Sequence, residues 1–170
     1  MSDERKPAPV GEPESGSPWR SARQSALLPA LEAARHKLGG RSLVPSERLP
    51  GSLVEVLLHD GARRAGILLW ASAGTCDVWF DDGLARRARS EAVALSASST
   101  PDALVRVEAE MRMFTALAEG DRVRWERATG ITEGRIAEKC RYGAIVVTRS
   151  GKLLAVGFRK LWPAAVRAMA

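Results

Sequence analysis

At 170 residues the chain has room for one ordinary domain or two very small ones, and its 45% apolar content is enough for a packed core. No apolar run approaches the roughly 20 residues that span a bilayer. The opening MSDERKPAPVGEPESG is polar, without the apolar stretch of a signal peptide, so a cytoplasmic protein without membrane association is expected. The net charge of +6 favours an anionic partner, and it is concentrated in residues 119–170, which carry 11 Lys/Arg against 5 Asp/Glu.

Residues 1–18, rich in Pro, Glu, Ser, Gly and Lys, have almost nothing to bury and are expected to form a disordered tail. Residues 19–50 read as a short helix and a linker. Ala26, Leu27, Ala30, Leu31, Ala34 and Leu38 can share one helical face, Pro29 suits a first turn, and Gly39-Gly40 end the helix. A helix of about ten residues is marginal alone, so this one either docks on a neighbour or frays.

Residues 51–97 change to short apolar stretches separated by Gly and Asp, the pattern of small β-structure. Strands are expected at 53–58, 66–70, 76–80, 84–89 and 92–95, with Asp81-Asp82-Gly83 as a tight hairpin turn. Residues 98–118 read as a connecting helix. Thr100 supplies a capping hydroxyl, Pro101 the first position and Asp102 an acid near the positive end of the dipole. Leu104, Val107, Met111, Phe114 and Leu117 then form one apolar stripe.

Residues 119–170 repeat the first β unit at an offset of 68 or 69. Gly51 matches Gly120, Val54 matches Val123, Gly66 matches Gly134, Val78 matches Val146, Gly83 matches Gly151 and Val93 matches Leu161. Apolar residues recur at alternate strand positions and glycines at turns and strand bends, as a structural repeat requires. The alternative is two unrelated β units.

Val78-Trp79-Phe80-Asp81-Asp82-Gly83, followed by a basic strand and then Val93 and Leu95, resembles the second half of a Tudor domain. Gly120-Asp121-Arg122-Val123-Arg124-Trp125 is similar to the first strand of Tudor, KOW and other SH3-like barrels. The resemblance covers roughly 90 residues and concerns fold type. It implies a mainly β protein with α: two tandem SH3-like/Tudor-like small barrels joined by an amphipathic helix, behind the N-terminal tail. Such barrels serve many partners, so fold alone does not give function.

The parts of an enzyme are missing from the sequence. His36 and His59 read as solvated residues, Cys76 and Cys140 as reduced interior thiols, and Asp81 and Asp82 as turn residues. No spacing suits zinc or calcium, and no phosphate loop, dinucleotide fingerprint or nucleophile elbow occurs. No catalytic residue, metal site or cofactor is expected.

What remains is binding chemistry. Arg122 and Arg124 alternate with Val123 and Trp125, so they should leave their strand on the solvent face. With Arg135, Lys139, Arg141, Arg149, Lys152, Arg159 and Lys160 they form a candidate nucleic-acid-binding set, either one patch or a scattered surface. Trp70, Trp79, Trp125, Tyr142 and Trp162 are candidate aromatic contacts, for bases or as a cage around a methylated cation, against the plain reading that they are core. Trp79 should face outward if Val78 and Phe80 face inward, packing on the helix or the other unit, or marking a contact surface. The expected function is a non-catalytic adaptor for nucleic acid or a nucleic-acid machine. The alternatives are a protein-interaction module for a peptide or modified side chain, and a structural oligomer subunit with the 100–118 helix as its seam.

Overall fold

The computed structural model describes residues 18–41 and 48–164. The tail expected over 1–18 lies outside the described residues except for Pro18, and so do residues 42–47 of the linker. The chain is mainly β, with two helices and two five-stranded antiparallel sheets.

The first sheet is a meander of β1 (Leu53–Leu57), β2 (Arg63–Ala71), β3 (Thr75–Phe80) and β4 (Ala85–Arg89). A 3₁₀ turn (Ser90–Ala92) then leads into β5 (Val93–Leu95), which pairs back on β1 to give the order β4-β3-β2-β1-β5. The second sheet has β6 (Arg122–Arg127), β7 (Gly130–Cys140), β8 (Gly143–Thr148) and β9 (Leu153–Gly157). It too passes through a 3₁₀ turn (Phe158–Lys160) before β10 (Trp162–Pro163) pairs on β6, so its order β10-β6-β7-β8-β9 is the same topology.

The repeat extends to single hydrogen bonds. The Gly51 N–H donates to the Leu68 carbonyl and the Gly120 N–H to the Ile136 carbonyl, both at 2.7 Å. Leu68 and Ile136 each precede the bulge that shifts the register of β2 and β7. Gly66 and Gly134 stand opposite Val54 and Val123. A Cβ at either would come within 2.4 Å of Val78 Cγ1 or 2.7 Å of Val146 Cγ1, so the close crossing of strands there requires glycine. The one-residue change of offset falls in the first hairpin of each unit, a turn where length varies at little cost.

Both sides of β2 are buried, which explains its continuous apolar run. Leu68 packs with Val54, Val56, Val78, Phe80 and Val93 on the inner side. Ile67 and Leu69 face the other way, in a row with Leu53 and Trp79 set by strand register. That outer face packs on α2 (Asp102–Ala116), whose Leu104, Val107, Met111 and Phe114 also meet Val123, Trp125, Ile136, Phe158 and Leu161 of the second sheet. Each such fully buried aliphatic contributes about 1.5–3 kcal/mol. The stripe is thus covered within the chain, which removes it as an exposed seam between copies.

Two helical details differ from expectation. The first residue before α2 is Pro101, with an extended ψ of 143°, so the helix begins one residue late and has no side-chain cap from Thr100. Helix α1 (Pro18–Lys37) runs through Pro29 instead of starting there. Its docking explains its persistence: Leu38 is buried with Cys140 and Ile145, flanked by Leu31, Ala34 and Leu153. Arg35 adds a forked pair to buried Glu138, donating at 2.7 and 2.8 Å. The arginine holds the Glu138 carboxyl below its usual pKa. Gly39 and Gly40, both at positive φ, then turn the chain away. Among the described residues no helix is long and apolar enough to cross a membrane.

Candidate functional site

Strand β6 alternates as its sequence requires. Val123 and Trp125 are buried, while Arg122, Arg124 and Arg127 are exposed. The β6–β7 hairpin that follows carries Arg127 to the point where three clefts meet.

The first cleft, about 720 Å³, lies on the seam between the sheets, with Trp79, Trp125, Tyr142 and Phe158 in its lining. The second, about 670 Å³, is bounded by Arg106 and Glu110 of α2 with Arg159, Lys160 and Trp162. The third, about 710 Å³, runs past Glu133 to Arg149 and Lys152. A smaller one beyond it, about 340 Å³, adds Arg122 and Arg135. The last three together present eight cations against three carboxylates. Glu110, 4% exposed, is already matched by Arg106 at 2.8 Å and Arg159 at 2.7 Å. Glu133 is shared by Arg122 and Arg149 at 3.1 and 3.2 Å. The field along this belt is therefore positive.

The sequence-predicted cations divide by what they touch. Arg124, Lys152 and Lys160 are exposed, and with Arg127 their side chains make no hydrogen bond or ion pair among the described residues. Arg124 lies outside the clefts, across from exposed Trp162 in the β10–β6 pair. Arg122, Arg135, Arg149 and Arg159 each donate to one hydrogen-bond partner yet still line the belt. Lys139 and Arg141 are turned inward. The Lys139 ammonium donates to the carbonyls of Phe114, Thr115 and Leu117, at 2.5–3.1 Å, where α2 ends. Its burial lowers its pKa. Arg141 stacks on Trp70, 3.8 Å from the ring centroid.

The aromatics divide likewise. Trp70 is buried under Arg141, and Trp125, 4% exposed, lies in the floor of the seam cleft. Trp79 and Tyr142 are half-buried in the same cleft, and Trp162 is 41% exposed in the second. Trp79 does face away from the inner core and packs edge-on against Phe158 of the other unit. The Arg159 guanidinium lies 5.0 Å from its ring centroid, so the chain's own cation sits on this ring. Tyr142 donates to Asp77 at 2.5 Å, and burial with that hydrogen bond pushes its phenol up to about 12.

Sequence reasoning passed over Arg127 and Arg106. Arg127 belongs to the same basic third, at the end of β6. Arg106 is on the exposed side of the connecting helix, and only tertiary packing brings it beside Arg159. Cys76 and Cys140 are free and buried, and burial pushes the Cys140 thiol up to about 11. Among the described residues no three His, Cys, Asp or Glu side chains gather to hold a metal ion.

Comparison with known proteins finds no family model that matches this chain and no curated protein that matches it.

Proposed function

We propose that this is a non-catalytic adaptor, built from two Tudor- or SH3-like small barrels, that holds nucleic acid or a nucleic-acid machine along the clefts meeting at Arg127. The barrel reading is supported by the strand order shared by both sheets, a meander whose fifth strand returns to the first after a 3₁₀ turn. The observation that carries the function is the belt itself. Eight cations against three carboxylates follow connected clefts beside exposed or half-buried aromatic rings. Phosphates satisfy such cations and release counterions, and rings beside them take bases. A methylated cation is the poorer ligand, because Arg159 already lies over Trp79 and would repel it.

The test is titration of fluorescein-labelled single- and double-stranded DNA and RNA with the purified chain at low and physiological salt. Binding is expected at low salt and weakens steeply as salt rises. Replacing Arg127→Glu with Lys160→Glu weakens it by about tenfold or more, whereas Arg63→Glu with Arg89→Glu on the first sheet changes it little. Absence of binding at low salt removes nucleic acid as the ligand and leaves the protein-interaction reading in first place.

A further inference from the structure

We infer that the seam cleft is a base pocket: it receives one unstacked nucleobase, so the protein prefers single-stranded nucleic acid to duplex. The inference rests on the nucleic-acid reading above and adds what the seam selects. The floor of the cleft is apolar and buried, formed by Leu69, Trp125 and Phe158, and the half-buried rings of Trp79 and Tyr142 line it as well. Arg127, Arg159 and Lys160 also line it, with Glu126 as its one carboxylate. The same three cations continue into the neighbouring basic cleft. The matching ligand therefore has a flat apolar part joined to an anionic chain that runs on past it.

Single-stranded nucleic acid has that construction, with a ring on every phosphate. Its bases stack on aromatic side chains and on guanidinium planes, and the Trp79–Arg159 pair offers both kinds of surface. A paired base inside a duplex cannot enter a cleft without being unstacked first. An acidic peptide supplies charge without a ring at each repeat, so it fits the belt but not the seam. Trp79 comes from the first sheet and the other rings from the second, so the pocket needs both units.

The deciding experiment compares the full-length protein's affinity for an oligothymidylate of about 12 nucleotides, a length within the span that small ssDNA-binding barrels cover, with that for an abasic strand of equal length and charge. Base-bearing strand should bind about tenfold more tightly, with the same salt slope and with quenching of tryptophan fluorescence. The matching duplex should bind no better than the abasic strand. Trp79→Leu should erase the difference between the two single strands, and Trp79→Phe should restore it. The wild-type comparison decides the matter even if Trp79→Leu misfolds. Equal, salt-sensitive binding of both single strands would overturn the base pocket while leaving the phosphate belt standing. No binding of either strand would overturn both. Quenching by an acidic, aromatic-containing peptide, with none by any oligonucleotide, would assign the cleft to a protein partner instead.

Discussion

Arg141, at the turn between β7 and β8, lays its guanidinium on the ring of Trp70 in β2, 3.8 Å from the centroid. The two residues belong to different sheets, and beside them Tyr142 donates to Asp77, which also accepts from Arg87 at 2.9 Å. Neither Trp70 Nε1 nor Arg141 Nε has a hydrogen-bond partner among the described residues, so stacking must hold this pair. With the apolar packing of α2 on both sheets, these contacts join the two units across the seam.

A double-mutant cycle with Trp70→Leu and Arg141→Met should therefore give a coupling of about 1–2 kcal/mol in urea unfolding. Wild type should unfold in one transition by fluorescence and circular dichroism alike. Two separated transitions would mean that the seam does not couple the sheets.

Tyr142 is the one tyrosine of the sequence, so its ionisation can be read directly by absorbance. The native phenol should titrate near pH 12, raised by burial and by its bond to Asp77, and near 10 in denaturant. Because the folded value is the higher one, the protonated phenol favours the fold at every pH below the unfolded value. That contribution disappears as pH rises through about 12. A native titration near 10 would place the phenol in solvent.

The repeat was legible because its markers are residues with one physical use. Gly66 and Gly134 lie where strands cross too closely for a Cβ, and Gly83 and Gly151 turn at φ of 79° and 77°. Val54 and Val123 follow the same alternation, so the offset could be counted without coordinates. The site was less legible, since a cation's partner is a tertiary matter. Lys139 and Lys160 look alike in sequence, yet one ties down the end of α2 and the other is free at the clefts. Arg106 and Arg159 are 53 positions apart and meet only through Glu110. Helix α1 passes Pro29 because the Arg35–Glu138 pair and the Leu38 contact hold its end, neither of which local propensity can register.

Lys139 and Lys160 should accordingly give opposite phenotypes. Lys139→Ala frees three carbonyls at the end of α2 and should cost about 1–3 kcal/mol of stability, with oligonucleotide affinity at low salt almost unchanged. Lys160→Ala should leave the melting temperature alone and weaken oligonucleotide binding. Thermal melts and titrations on the same two preparations check both halves.

Equivalent glycines should respond equivalently. Gly66→Ala and Gly134→Ala each drive a methyl into a valine and a backbone carbonyl, and should destabilise by about 1–3 kcal/mol. Gly74→Ala meets nothing within 4 Å and should be close to neutral by chemical denaturation. A tolerated Gly66→Ala beside a damaging Gly134→Ala would break the equivalence of the two sheets.

The most direct measurement is the salt dependence of affinity for a labelled single strand, for wild type and for Arg127→Glu with Lys160→Glu. The side chains of Arg124, Arg127, Lys152 and Lys160 are exposed without hydrogen-bond or ion-pair partners among the described residues. If these four meet phosphates, the slope of log affinity against log salt should be about −3, and about half that in the double variant. Tight binding whose slope is near zero, or a slope unaltered by the double variant, would contradict a nucleic-acid site centred on Arg127.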